Sequence, residues 1–380
     1  MSYSTDKKLG IVGGGQLGRM LIQSAIDLDI FVKIIDPDAA APCKYIAHEF
    51  VQGNLNDYEA VLSFGKDCDI ITIEIENVNL EALEKLEAMG KKVYPQPAIL
   101  RQIKNKRVQK QFYVDNDLPT ANFKLTDNAM AVASLPLPIP FVNKLGEGGY
   151  DGRGVQLVKS QSDLKKVFNE PSLVEELVDF EKELAVVVAR SSKGEIKCFP
   201  VVEMVFHPEA NLVEYLFAPA KISDKLSKEA TKLATQTAKA FGIVGLLAVE
   251  MFLTKDGKIL INEVAPRPHN SGHHTLKANL VSQFEQHLRA IMGLPLGDTS
   301  AIAPSAMVNL LGEAGFTGPA VYEGMDEVLG IEGVHPFLYG KALTKPFRKM
   351  GHITVVDSDF DKLKEKVNFV KNTLKVKSNT

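Results

Sequence analysis

The 380-residue chain predicts a mixed α/β protein of two to three domains, and three observations carry that prediction. Strand-like, glycine-turn and helix-like segments alternate from Leu9 to Tyr94. A second glycine-rich stretch, with five glycines within nine residues from Gly146 to Gly154, hangs directly from the apolar run 140–143. Further on, a long hairpin over 245–264 sets two glutamates among apolar residues.

The elements follow in order. Residues 9–12 read as a strand, 13–18 as a glycine turn, 19–28 as a helix and 31–35 as a second strand. Strand signals recur at 70–73 and 92–94 around a charged helix, 79–89, which implies a parallel sheet with crossover helices. After Pro95 and Pro97 a polar helix spans 99–116. Short strands and the glycine loop lead to a helix at 162–168, and strands follow at 173–178 and 182–189. A helix at 225–241 precedes the long hairpin, and another covers 281–292. Past Pro295 a smaller unit holds strands at 306–311 and 353–356 and an amphipathic helix at 359–371. The units are therefore expected at 1–98, 99–295 and 296–380, with a lid at about 117–180 inside the second.

Composition narrows the function. The chain is 45% hydrophobic and 24% charged with a net charge of -3, and it has no long basic run, so no nucleic-acid partner is expected. Cys43, Cys68 and Cys198 are isolated, which argues against disulfides and zinc and fits a reducing compartment. A polar start and the lack of a long apolar span predict a cytoplasmic protein without a membrane partner.

Glycine density of this order suits neither helix nor strand, and Lys144 stands at the base of the loop. The loop is expected to be a phosphate-covering flap. The segment 13–18 matches a dinucleotide fingerprint, with Asp36 at the ribose position, yet any tight strand-to-helix turn favours glycine there. Its robust implication is a helix N-terminus offering amides to an anion, either a cofactor or a substrate phosphate. In the hairpin, taking Asp256-Gly257 as the two-residue turn pairs Lys255 with Lys258 and puts Glu250 opposite Glu263. Facing carboxylates repel, and a magnesium ion among phosphates would resolve the conflict. In the loop 264–275, Pro266, Pro268 and Gly272 disfavour a helix, so His269 and His273 belong to a rigid substrate loop rather than a zinc pair.

These pieces, in this order, resemble the ATP-grasp ligases. The stretches 13–20, 76–78, 149–154, 262–273 and 349–352 resemble, more narrowly, the PurK-type 5-(carboxyamino)imidazole ribonucleotide synthases of purine synthesis. The resemblance implies an ATP-grasp fold behind a Rossmann-like front domain, with a small C-terminal domain. It implies ATP and magnesium as cofactors, aminoimidazole ribonucleotide and bicarbonate as substrates, and a homodimer. For ATP it implies Lys106, Lys144, Gly149, Tyr150, Asp151, Gly152, Arg153, Gly154, Val155, Glu175, Glu176, Leu177, Val178, Glu183, His207, Asn262 and Glu263. Lys106 stands where the family often carries Arg, which keeps the charge and loses the planar fork. Metal falls to Glu250 and Glu263, and catalysis to Asp151, Arg153, Arg267 and His269. The substrate would meet Gln16, Glu76, Tyr150, Arg153, Asn270, Ser271, Lys341 and Arg348. Competing readings are a formate-dependent transformylase, a biotin carboxylase, an NAD-dependent oxidoreductase built on 13–18, and a nucleotide-binding module without turnover.

Overall fold

Alternation over the first ninety residues resolves into five parallel strands in the order Glu49–Gln52, Phe31–Asp36, Lys8–Val12, Ile70–Ile73 and Lys92–Val93. The computed structural model describes residues 4–136, 138–149, 154–208 and 212–379. Strands buried on both faces need apolar side chains throughout, which is why Ile70–Ile73 and Lys8–Val12 are nearly continuous runs. The helix Gln16–Asp27 covers one face and Tyr58–Gly65 and Leu80–Ala88 the other. The sequence reading missed Glu49–Gln52 and Tyr58–Gly65.

The polar helix expected over 99–116 is two helices, Pro97–Lys104 and Lys106–Asp115. Asn105 breaks it: its backbone is extended, and its side chain caps the second helix by accepting from the Arg107 and Val108 amides. The segment expected as a helix at 162–168 is a 3-10 turn, Gln161–Lys166.

Four antiparallel strands form a small sheet in the order Phe123–Thr126, Ser172–Glu176, Phe141–Leu145 and Val155–Val158. A larger sheet runs Ile259–Ala265, Gly245–Thr254, Phe180–Arg190, Val202–Phe206, Val213–Ala218, Ser305–Leu311, Lys349–Val356 and Val334–Leu338, with Ile196–Cys198 beside Phe180–Arg190. It crosses residue 295 without interruption, because Val213–Ala218 pairs with Ser305–Leu311. The helix Asp224–Phe241 packs its apolar stripe of Ala230, Leu233, Ala234 and Phe241 on one face. The helix Gln283–Met292 lies on the opposite face and also touches Gln16–Asp27, so it joins the two sheets.

Candidate active site

The flap hangs from the hairpin of Phe141–Leu145 and Val155–Val158. Lys144 pairs with Val155, and the Leu145 amide donates to the Gly154 carbonyl at 2.9 Å. Gly149 on one side and Gly154 and Val155 on the other therefore sit at the flap's base. Tyr150, Asp151, Gly152 and Arg153 lie outside the described residues.

Strand alternation aims Lys144 inward, where its Nζ lies 2.7 Å from Glu175 Oε2 and donates to Asn262 Oδ1 at 2.9 Å. Lys110 Nζ approaches Glu175 Oε1 from the other side at 2.8 Å. The side chains of Lys110 and Glu175 are each only 4% exposed, so the pairing is not screened by water. Burial pushes Glu175 up, but Lys144 and Lys110 outweigh it and hold the carboxyl below its ordinary value. Burial pulls Lys110 down to about 8. Lys110 went unnoticed in the sequence, although its spacing of four from Lys106 puts both on one helix face. Glu175 thus acts as a buried counter-ion, while Glu176 and Leu177 are exposed and Val178 partly so.

Glu250 and Glu263 stand opposite each other, by a route other than the expected one. The turn has three residues, 255–257: the Gly257 amide donates to the Thr254 carbonyl, and the Thr254 amide donates to the Lys258 carbonyl, both at 2.9 Å. Gly257 supplies the left-handed residue such a turn requires, at φ 81°. Lys255 therefore does not pair with Lys258. The register is then one residue off until the pairing skips Asn262 between Ile261 and Glu263. That bulge restores the facing glutamates, and it turns Asn262 and Glu263 to the same side of the strand. Asn262 meets Lys144, and Glu263 bonds Lys106.

The three carboxylates here act on one another. Lys106 pulls Glu263 well below its ordinary value despite burial, and burial with the Glu263 charge drives Glu250 up. Burial, opposed by Lys144, raises Glu183 to about 7. Glu183, Glu250 and Glu263 thus share one electrostatic environment with Lys106 and Lys144, while among the described residues no three acidic, histidine or cysteine side chains are gathered closely enough to hold a metal ion. Lys349, five places along the large sheet from Glu250, also lowers the Glu250 carboxyl.

The next wall comes from the loop after Ala265. Arg267 Nε lies 2.8 Å from Glu76 Oε1 of the front domain. His269 Nε2 lies 3.3 Å from Glu250 Oε1, and its Nδ1 is 2.9 Å from Ser271 Oγ. Asn270 exchanges side-chain hydrogen bonds with Asn309 at 2.9 and 3.0 Å. Gln283, also missed in the sequence, clamps the His269 backbone: its Oε1 accepts from the amide at 2.9 Å and its Nε2 donates to the carbonyl at 2.8 Å. Lys341 Nζ donates to Gln16 Oε1 at 2.6 Å and to the Lys349 carbonyl at 2.7 Å, tying the C-terminal unit to the front domain. Arg348 donates to the Leu343 carbonyl at 2.7 Å. His207 packs edge-on against Phe347 at 5.7 Å, in a cleft with Glu214 and Lys371, apart from the lysine–glutamate nest.

The glycine turn 13–18 departs from the anion site expected of it. Leu17 N–H donates to Glu74 Oε1 at 3.0 Å and Gly14 N–H to Asp36 Oδ2 at 2.7 Å. Internal carboxylates take these amides, and Asp36 serves the turn rather than a ribose.

Three family models match in sequence. A ribonucleotide synthetase preATP-grasp domain matches residues 6–104, an ATP-grasp domain 111–284, and a phosphoribosylaminoimidazole carboxylase C-terminal domain 305–366. Together with the sheets and the flap, these define an ATP-grasp ligase. The N5-carboxyaminoimidazole ribonucleotide synthase of Bacillus subtilis is 38% identical over 93% of this chain and 92% of its own. A phosphoribosylaminoimidazole carboxylase of Vigna aconitifolia is also 38% identical, and there the match covers 93% of this chain but 65% of the relative's length. Among solved structures, the Thermotoga maritima N5-carboxyaminoimidazole ribonucleotide synthetase superposes with a TM-score of 0.92 at 43% identity, over 98% of this chain and 100% of that one. The Aspergillus clavatus synthase, solved with ADP and 5-aminoimidazole ribonucleotide, gives 0.89 at 34%, over 97% and 98%. The chain belongs to the N5-carboxyaminoimidazole ribonucleotide synthase family. Among the described residues no helix is long and apolar enough to cross a membrane.

Proposed function

We propose that this chain uses ATP and bicarbonate to carboxylate the exocyclic amine of 5-aminoimidazole ribonucleotide, releasing ADP and phosphate, in purine synthesis. The observation that carries this reading is the nest in which Lys106, Lys110 and Lys144 surround Glu175, Asn262 and Glu263, one bulge away from Glu250 and His269. On this reading the phosphates of ATP lie over Lys144, Lys106 and the flap base, with Glu183 at the ribose and the backbone of 176–178 at the adenine. Glu250 and Glu263 hold a magnesium ion, whose charge screens the phosphates when bound.

Lys144 and the flap amides neutralise the charge on the phosphoryl group passing to bicarbonate, which gives carboxyphosphate and ADP. The flap, with Tyr150, Asp151 and Arg153, shields that intermediate from water. The amine of aminoimidazole ribonucleotide then attacks the carboxyl carbon, or carbon dioxide released from it. His269 Nε2, oriented by Ser271 at Nδ1 and by Gln283 at its backbone, accepts the amine proton. Gln16, Glu76, Asn270, Lys341 and Arg348 hold the ribonucleotide, and Arg267 orients Glu76.

The division at 1–98, 99–295 and 296–380, with the lid at about 117–180, belongs to this reading, as do a cytoplasmic location and a homodimer. Its test is ADP release with aminoimidazole ribonucleotide, with and without bicarbonate. Release should require both, and a rate indifferent to the nucleotide overturns the assignment. Glu263→Gln should cost at least about a hundredfold in turnover with the fold intact, since it removes charge that no neighbour replaces. Unchanged turnover in that variant removes the metal role.

A further inference from the structure

Glu74 takes no part in the chemistry above, yet it is a carboxylate that burial drives up, against the pull of the Leu17 and Gly15 amides. It wedges into the turn before the helix Gln16–Asp27. A Cβ on Gly15 would lie 2.5 Å from Glu74 Oε1, and one on Gly13, at φ 109°, 2.8 Å from Oε2. The turn is therefore moulded around this carboxylate, as glycine turns of its kind are moulded around a pyrophosphate.

Two neighbours carry the effect outward. Gln16, in the same turn, accepts from Lys341. Glu76, two residues beyond Glu74, pairs with Arg267. Chain alternation beyond Ile70–Ile73 sends Glu74 into the turn and Glu76 to the cleft.

We propose that Glu74 is a positioning residue. As a built-in anion it occupies the helix N-terminus, sets Gln16 and Glu76 against Lys341 and Arg267, and denies that N-terminus to a substrate phosphate. The phosphate end of the ribonucleotide is thereby directed to the Lys341 side. The kinetic consequence rests on the aminoimidazole ribonucleotide reading; the plugged turn does not.

Glu74→Gln and Glu74→Ala, each in the full chain, test it. Glu74→Gln keeps the shape and loses the charge, so KM for aminoimidazole ribonucleotide should rise about tenfold while kcat and KM for ATP stay within about twofold. Glu74→Ala vacates a carboxylate-sized cradle, so millimolar formate should raise its unfolding temperature, leave that of the parent unchanged, and restore the ribonucleotide KM. The proposal is overturned if KM rises equally for ATP and the ribonucleotide, or if formate stabilises parent and variant alike or neither. Should Glu74→Ala fail to fold, the KM split in Glu74→Gln decides. A parent without ribonucleotide-dependent turnover defeats the reaction assigned above, and the formate shift still decides the role of Glu74.

Discussion

Lys110 shows how much can hang on one side chain that sequence alone makes look ordinary. On a polar helix a lysine is read as solvated, but this one is 4% exposed and shares Glu175 with Lys144. Taking it away leaves a buried carboxylate with a single cation and frees Lys144 to pair more tightly with it. Lys110→Met should therefore cost about 2 kcal/mol of stability in urea unfolding. It should also raise KM for ATP several-fold, because phosphates must compete harder for Lys144. Equal stability and equal KM would mean the pair is dispensable. Lys106, by contrast, was legible, because its place in a family pattern pointed to it. Between Glu175 and Glu176 the sequence offered no choice: either fits the end of a strand, and only pairing with Phe123 and Val142 settles which one turns inward.

At the scale of an element, the hairpin 245–265 shows why a correct pairing can rest on an incorrect path. An Asp-Gly pair announces a two-residue turn, and counting from it aligns Glu250 with Glu263. The chain instead spends one residue more in the turn and recovers it at Asn262. Bulges leave almost no local sequence signal, since their cause lies in what the neighbouring side chains reach. Here the cause is visible: an unbroken strand would send Asn262 and Glu263 to opposite faces, and both are needed on one. Gly257→Ala should cost about 1 kcal/mol, because alanine resists positive φ, and should leave ATP turnover unchanged. Thermal unfolding and a coupled ADP assay check both halves. The parallel front sheet was legible from alternation, whereas the break at Asn105 was not, since capping by a side chain competes with a helix that composition would happily continue.

The molecule as a whole is joined through a buried group of histidines. His287, on the helix between the sheets, lies 2.9 Å from Thr72 Oγ1 of the front sheet, and His352 Nδ1 lies 3.0 Å from Tyr339. Burial pulls His287 and His352 down to about 3 and His274 to about 4. An unfolded histidine takes a proton near its ordinary value of about 6.5, whereas these refuse one until far lower. The unfolded chain thus binds more protons between about pH 6.5 and 4, and stability should fall steadily as pH drops through that window. Unfolding temperature against pH measures this, and His274→Leu should flatten the slope; an unaltered slope would place the acid sensitivity elsewhere. Above the window these groups contribute no pH dependence.

The continuity of the large sheet has a consequence for selectivity. Glu250 and Lys349 stand five places apart along a single hydrogen-bonded sheet, and the Lys349 charge lowers the Glu250 carboxyl. The carboxylate jaw and the lysine jaw are therefore the two arms of a caliper forged in one piece. Its opening is set by the unbroken run of hydrogen-bonded strands between the two arms. The spacing of the two arms, fixed by the strands that join them, bears on what fits between them.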